Sequence, residues 1–319
     1  MTEFDFIRRY LKKQQDDAQV VLGIGDDAAI IRPQVGFDLC FSSDMLLKGR
    51  HFFADVQPDD LAWKVLAVNI SDMAAMGATP RWVLLSVGLP ELDESWLHRF
   101  CNNLFDLAQR FGVTLIGGDT TRGDLVFNVT IIGELPTGKA LRRDAAKEGD
   151  DIWVSGQIGL AAAGLNHCLG KCVLTEQIAE KCKKALLRPM PRVKLGQNLL
   201  SIAHAAQDVS DGLAQDVGHI LKASAVGAEL WVDSLPSLSE LKQSLSRQQW
   251  LEYTLSGGDD YELVFTAPTS CRKAVIMAGK ESGTAVTRIG RITDTGRLKI
   301  ISSGGDEVKL TTQGFDHFG

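Results

Sequence analysis

A chain of 319 residues, 45% hydrophobic and 23% charged, is long for a single core, so two domains are expected, each large enough to bury its own interior. The net charge of -6 argues against a general nucleic-acid or anionic-membrane binder, since either wants a basic face, and leaves room only for a local basic pocket. Met1 to Tyr10 has no apolar leader core, no window reaches membrane-spanning length, and the six cysteines form no Cys-x-x-Cys pair, which points to a reducing cytoplasm.

Glu3 to Leu11 places Phe4, Ile7 and Leu11 at helical spacing and predicts a short opening helix. Gly23-Ile24-Gly25-Asp26-Asp27-Ala28-Ala29 follows. Its adjacent carboxylates repel unless something positive lies between them, and its small residues let a phosphate or hydrated ion approach the backbone. The same composition suits a surface turn. Recurrence favours the cation: similar clusters stand at Ser42-Ser43-Asp44, Ser71-Asp72, Gly117-Gly118-Asp119, Asp208-Val209-Ser210-Asp211 and Gly257-Gly258-Asp259-Asp260.

Phe37 to Ser42 alternates apolar and polar as a half-buried strand does, which puts Ser42-Ser43-Asp44 at a strand end. In Lys48-Gly49-Arg50-His51-Phe52, His51 either faces a phosphate or packs against the loop, with the first favoured. Asp60 to Met76 reads as a helix in which Asn69, Ser71 and Asp72 interrupt an apolar, small-residue end; a carboxylate there needs a partner or a metal. Thr79 to Pro90 predicts a strand, and Asp93 to Phe111 an amphipathic helix with Leu97, Phe100, Leu104 and Leu107 inward. Gly117 to Arg122 reads as a bend whose N–H groups bind a phosphate while Asp119 holds Mg2+, followed by a strand from Leu125 to Ile132. Thr137 to Asp151 is a basic, turn-rich linker in which Arg143 is either solvated or touches a polyphosphate.

In the second half, strands are expected over Asp151–Gly156, Ala205–Val209, Glu229–Val232, Leu263–Phe265, Val286–Ile292 and Leu298–Ile301. Helices are expected over Leu160–Leu169, Thr175–Leu187, Leu213–Ala225, Ser237–Leu245 and Thr269–Ser282. Arg188 to Arg192 reads as a rigid turn and nothing more, and His167, Cys168 and Cys172 as helix packing in preference to a zinc site. Ser210 is either an anion contact or a plain N-cap. The halves share Ser-Asp at a strand end, then helices, then Gly-Gly-Asp before an apolar strand, which suggests two related α+β domains with antiparallel sheets and helices on one face.

So many acidic clusters suit two or more Mg2+ ions bridging a triphosphate. Phosphoryl transfer needs charge neutralisation and in-line positioning more than a protein nucleophile. There is no Gly-x-x-x-x-Gly-Lys-Ser/Thr, protein-kinase motif set, Gly-x-Ser-x-Gly or His-Glu-x-x-His, so a nucleotide is expected on metal-bound aspartates and glycine loops.

Taken together and in order, Gly-Ile-Gly-Asp-Asp27-Ala-Ala, Ser43-Asp44, Val-Asn69-Ile-Ser-Asp72-Met-Ala-Ala-Met-Gly, Gly-Gly-Asp119-Thr, Asp208-Val-Ser-Asp211-Gly, Ser-Gly-Gly-Asp259-Asp-Tyr-Glu-Leu and Gly-Phe315-Asp-His-Phe resemble the thiamine-monophosphate kinase family. That family lies in the superfamily of aminoimidazole ribonucleotide synthetase and selenophosphate synthetase. The resemblance implies ATP-dependent phosphorylation of thiamine monophosphate to thiamine diphosphate, with several Mg2+ ions and no phosphoenzyme. It implies an N-terminal domain over 1–137 whose antiparallel sheet pairs into a barrel across a homodimer, and a C-terminal α/β sandwich over 148–319. By the family pattern Asp27, Ser42, Ser43, Asp44, Asp72, Asp119, Asp208 and Asp211 are metal ligands, with Asp44, Asp72, Asp119 and Asp208 central to catalysis. Gly118, Asp119, Arg143 and Ser210 meet ATP, and His51, Asp259 and Phe315 meet the thiamine phosphate.

Two departures stand out: Asp259 replaces a frequent Glu, and a larger aromatic can stand at Phe315. Selenophosphate synthetase wants a reactive Cys or selenocysteine near the N-terminus, where this chain has no cysteine before Cys40, and the hydrogenase-maturation relative ends in Cys, where this chain ends in Gly319. From another class, the clusters fit a non-catalytic, metal-stabilised dimer, which intact ligands in every cluster disfavour.

Overall fold

The computed structural model describes residues 2–12, 17–310 and 314. The chain divides into two units, Met1–Met73 with Ala78–Lys139, and Ala74–Gly77 with Ala140–Gly319.

The first unit opens with α1 (Glu3–Phe6), where the Thr2 hydroxyl accepts the Asp5 N–H and the Asp5 side chain reaches back to the cap. One π-helical turn, Ile7–Leu11, continues it. Strands β1 (Val20–Leu22) and β2 (Ile30–Ile31) form a small antiparallel ribbon with the Gly-Asp-Asp loop between them. The main sheet then takes in turn β3 (Phe37–Leu47), α2 (Pro58–Met76), β4 (Thr79–Leu89), α3 (Glu94–Phe111), β5 (Thr114–Arg122) and β6 (Val126–Pro136). Its strand order is β3-β6-β4-β5.

The expected antiparallel sheet is in fact mixed, because β4 and β5 run parallel. Helix α3 carries the chain back along the sheet between them, and a helical crossover joins parallel neighbours. That helix has clear local signals. Asp93 caps it by accepting the Trp96 N–H, Gly112 ends it in the left-handed region, and Leu97, Phe100, Leu104 and Leu107 recur on its buried side.

Two strands run further than their local sequence suggests. Ser42, Ser43 and Asp44 lie within β3, which pairs with β6 from Phe37 opposite Pro136 to Leu47 opposite Val126. Gly117, Gly118 and Asp119 likewise lie within β5 and form no bend, since β4 pairs with it as far as Leu89 opposite Arg122. Hydrogen bonds from neighbouring strands decide the conformation here, against polar and glycine-rich composition.

In the second unit the elements are β7 (Asp151–Ser155), α4 (Leu160–Cys168), α5 (Glu176–Leu187), α6 (Val193–Leu199), β8 (Ala205–Asp208), α7 (Leu213–Ser224), β9 (Gly227–Trp231), α8 (Ser239–Ser244), α9 (Arg247–Leu255), β10 (Leu263–Ala267), α10 (Arg272–Ser282), β11 (Val286–Thr293) and β12 (Leu298–Ile301). Six of them form a sheet in the order β12-β9-β11-β7-β10-β8, antiparallel except for β12 on β9. The sheets of the two units thus differ in strand number and order. Helices α6 and α9 were not expected from the sequence, although α9 carries a capping box between Ser246 and Gln249. His167 accepts the Leu174 N–H between α4 and α5, as packing requires. Among the described residues no helix is long and apolar enough to cross a membrane.

The first unit's core is tied together by aromatic rings. Phe127 on β6, 1% exposed, stacks on Phe100 of α3 at 4.9 Å between centroids and meets Phe52 edge-on at 6.2 Å. Phe127→Ala removes both ring contacts and leaves a cavity, so chemical denaturation should read a loss of about 3–5 kcal/mol, against less than about 1.5 kcal/mol for Phe127→Leu if the core repacks.

Candidate active site

In the first unit, β3 and α2 bring three of the expected ligands together. The Ser42 hydroxyl donates to Asp72 Oδ2 at 2.5 Å. Two residues on, the Asp44 N–H donates to Asn69 Oδ1 at 3.1 Å, and Asn69 Nδ2 donates to the Val65 carbonyl at 2.9 Å. Asn69 is wholly buried, so both halves of its amide are committed to fixing β3 against α2. Strand alternation puts Ser42 and Asp44 on one face, and the helical step from Asn69 to Asp72 turns both side chains toward it.

Register then separates the remaining candidates. Asp44, Val129, Leu85 and Gly118 form one row across the sheet, with Val129 and Leu85 buried beneath the helices. Three strand spacings put Asp44 about 14 Å from Gly118 within that row. In the next row Met45, Asn128 and Ser86 face the other way, with Asp119 paired to Ser86, and Ser43 also faces that way, its hydroxyl meeting Thr130 Oγ1 at 3.1 Å and accepting from Asn128 Nδ2 at 3.2 Å. So Ser42, Asp44 and Asp72 share the helix face, while Ser43 belongs to the open face. Asp27 is exposed between β1 and β2, its N–H donating to Asp26 Oδ1 at 2.9 Å.

Gly118 has no alternative at its position. A Cβ there would stand 1.8 Å from the Leu85 carbonyl oxygen, and its φ of 148° is one that L side chains rarely adopt. His51 is held by the strand end, where the Leu47 N–H donates to its Nδ1 at 3.0 Å.

In the second unit, two loops dock on each other. The Asp259 N–H donates to the Ser210 carbonyl and the Tyr261 N–H to the Val209 carbonyl, both at 2.9 Å, while the Val209 N–H donates to the Glu262 carbonyl at 2.8 Å. Gly258 is required by this contact, because a Cβ would come within 2.1 Å of the Ser210 oxygen. Asp259 and Tyr261 are held at φ of 68° and 50°, a strain of about 1–3 kcal/mol each for residues other than glycine. Tyr261 Oη donates to Asp259 Oδ1 at 3.2 Å, orienting the carboxylate.

The 208–212 loop is fixed from behind. Asp208 is buried at the end of β8, and Gln215 Nε2 donates to Asp211 Oδ2 at 3.2 Å. Ser210 does not cap α7, whose N-cap position is taken by Gly212 with no side-chain cap. Instead Asp216, on the first turns of α7, accepts the N–H groups of Ser210, Asp211 and Gly212. Burial, aided by the charge of Asp211, pushes its carboxyl up to about 7, while those N–H groups work in the opposite direction.

Arg143 is exposed on a short helical turn, Arg143–Ala145, whose first carbonyl accepts from Ser224 Oγ at 2.8 Å. His219 of α7 lies within electrostatic reach of both Arg143 and Asp211; burial and then the Arg143 charge lower its pKa. Phe315 lies outside the described residues.

Sequence reasoning passed over Asp216 and gave Arg192 no role beyond a turn. Arg192 Nε donates to Glu262 Oε2 at 2.7 Å and its terminal nitrogen to Oε1, beside the Ser155 hydroxyl, which also donates to Oε2. This pair, with Glu262 buried and Arg192 half-buried, anchors the strand that follows the 257–261 loop.

Among the described residues no three His, Cys, Asp or Glu side chains converge as a ready metal cage. The donor chemistry nevertheless fits Mg2+, which favours carboxylate and hydroxyl oxygens and keeps waters and phosphate oxygens in its shell instead of requiring an all-protein cage.

Family models for the N-terminal and C-terminal domains of AIR synthase related proteins match residues 25–135 and 147–303. The thiamine-monophosphate kinase of Escherichia coli (strain K12) is 44% identical, over 99% of this chain and 98% of the relative, and that of Haemophilus influenzae is 40% identical, over 100% and 98%. A crystal structure of thiamine-monophosphate kinase from Stenotrophomonas maltophilia K279a superposes with a TM-score of 0.86 at 42% identity, covering 97% of this chain and 98% of that one. The structure described as AaThiL complexed with AMPPCP and TMP superposes at 0.76 with 29% identity, covering 90% and 89%. The chain belongs to the AIR synthase related family, and within it to the thiamine-monophosphate kinases.

Asp260 gives the docked loops a pH signature. It accepts the N–H groups of Gly159 and Ala161 at 2.7 and 3.4 Å, at the start of α4. Desolvation raises its pKa well above the usual carboxylate range, and the charges of Glu262 and Asp259 add to the rise. A carboxyl raised on folding contributes stability that is full below its unfolded pKa and is lost as pH rises toward its folded value. Asp260→Asn lacks that loss, so melting curves should show the mutant gaining on the native protein as pH rises from 4 upward.

Proposed function

We propose that the chain transfers the γ-phosphate of ATP directly to thiamine monophosphate in a Mg2+-dependent reaction, giving ADP and thiamine diphosphate. The observation that carries this reading is the likeness to thiamine-monophosphate kinases over practically the whole chain. A terminal phosphate oxygen of the acceptor attacks the γ-phosphorus in line as the bond to the bridging oxygen of ADP breaks. That oxygen is already anionic near neutral pH, so neither a protein nucleophile nor a strong base is required. Bound Mg2+ supplies charge neutralisation along the polyphosphate.

In this reading Asp27, Ser42, Ser43, Asp44, Asp72, Asp119, Asp208 and Asp211 hold the metal ions, of which Asp44, Asp72, Asp119 and Asp208 bear most directly on transfer. Gly118, Asp119, Arg143 and Ser210 meet ATP. The exposed guanidinium of Arg143 suits a polyphosphate. His51, Asp259 and Phe315 meet the thiamine phosphate. Because His51 Nδ1 accepts a backbone N–H, the neutral ring carries its proton on Nε2, which makes it a donor suited to a phosphate oxygen.

The domains run over 1–137 and 148–319, and the enzyme works in the cytoplasm as a homodimer whose N-terminal sheets pair into a barrel. Phe41 and Met45, 63% and 53% exposed on the open face of the sheet, support that pairing, since monomers seldom leave such apolar side chains together in water.

Purified protein given ATP, Mg2+ and thiamine monophosphate should form ADP and thiamine diphosphate in equal amounts, with free thiamine inert. Asp44→Asn keeps the backbone bond to Asn69 and nearly the same shape while removing a charge, so it should melt like the native protein yet lose about 100-fold or more in kcat. An active Asp44→Asn would count against the metal role, and turnover of some other acceptor against the substrate.

A further inference from the structure

The structure assigns Asp216 as the positioning residue of the 208–212 loop: a carboxylate that touches neither nucleotide nor acceptor but sets the backbone from which Asp208, Ser210 and Asp211 project. Its Oδ2 accepts three consecutive N–H groups, from Ser210 at 3.0 Å, Asp211 at 3.1 Å and Gly212 at 3.2 Å. Its Oδ1 accepts from Gln207 Nε2 at 2.6 Å, so the residues on both sides of Asp208 are tied to one side chain. Asp216 is wholly buried. Three N–H groups converging on a single oxygen curl the backbone, while the Asp216 N–H in turn donates to the Gly212 carbonyl and the Ser210 carbonyl is left facing the second loop. That Ser210 carbonyl receives the Asp259 N–H, so the same carboxylate also sets the support of the second loop. Functional side chains on loops need such backing, since a displacement of about 1 Å can cost about 100-fold in rate.

The inference deepens the proposed function and rests on it for what the loop binds, though not for how the loop is held. Gln207 Oε1 is buried with no hydrogen-bond partner among the described residues. In Asp216→Asn the side-chain oxygen can keep the three N–H groups while the new NH2 faces Gln207, whose amide turns to offer that Oε1. The conservative variant therefore keeps the positioning and discards the charge. Asp216→Ala discards both.

Hydrogen–deuterium exchange on the native protein comes first and needs no substrate: the amides of Ser210, Asp211 and Gly212 should exchange as slowly as those in the middle of α7. Rapid exchange there overturns the proposal. In Asp216→Ala the same amides should exchange about tenfold faster or more. KM for Mg2+-ATP should rise about tenfold and kcat should fall, and Asp216→Asn should restore exchange and KM to within about threefold of native. An Asp216→Ala protein with native exchange and native KM overturns the proposal, as does an Asp216→Asn protein impaired as badly as Asp216→Ala, which would make the charge the essential property. Should Asp216→Ala fail to fold, the native exchange rates and the Asp216→Asn kinetics still decide. If the native enzyme uses another acceptor, the exchange result stands and only the substrate reading falls.

Discussion

Carboxylates brought close together repel, and any protein that gathers them must fix the backbone that carries them. Here that backbone is fixed by hydrogen bonds, to neutral amides and a hydroxyl and, around Asp211, to the carboxyl of Asp216. Asn69 holds Asp44, Ser42 meets Asp72, Gln215 holds Asp211, and the backbone around Asp211 closes on Asp216. These bonds set geometry while leaving much of the negative charge available to a cation, which is what a metal-dependent phosphoryl transfer requires. The folds of the two units serve this end by different means. The first uses a helix laid against a strand, the second a loop curled over a helix start.

Glycine carries the other half of the constraint. Gly118 and Gly258 stand where a Cβ would meet a neighbouring carbonyl oxygen, at 1.8 and 2.1 Å, so the chain can bring backbone against backbone beside the acidic residues. The strained conformations of Asp259 and Tyr261 are maintained by the same close docking, through two N–H bonds to the 208–212 loop. Loosening either loop therefore disturbs the other.

Much of this was legible in the residues. Helix α3 announced itself by cap, periodicity and terminal glycine, and the aspartate clusters by recurrence. The extent of β3 and β5 was not legible, because Ser42-Ser43-Asp44 and Gly117-Gly118-Asp119 have the local composition of bends and become strand only through their neighbours. The parallel pairing of β4 and β5 depends likewise on a crossover, which no local pattern encodes. Asp216 looked like an ordinary polar residue of an amphipathic helix; its role appears only once the preceding loop curls back over it. Arg192 looked like part of a proline turn because its partner Glu262 lies 70 residues away.

In the proposed reaction the acidic clusters receive metal and nucleotide together. Thermal unfolding of the purified protein with Mg2+ alone, a non-hydrolysable ATP analogue alone, and both together tests it most directly. Either alone should give a small shift and the pair a large one, reaching about 2.7 kcal/mol of added stability at a hundredfold excess over Kd. A midpoint that is indifferent to the pair, or that responds to Mg2+ alone as fully as to both, would contradict it.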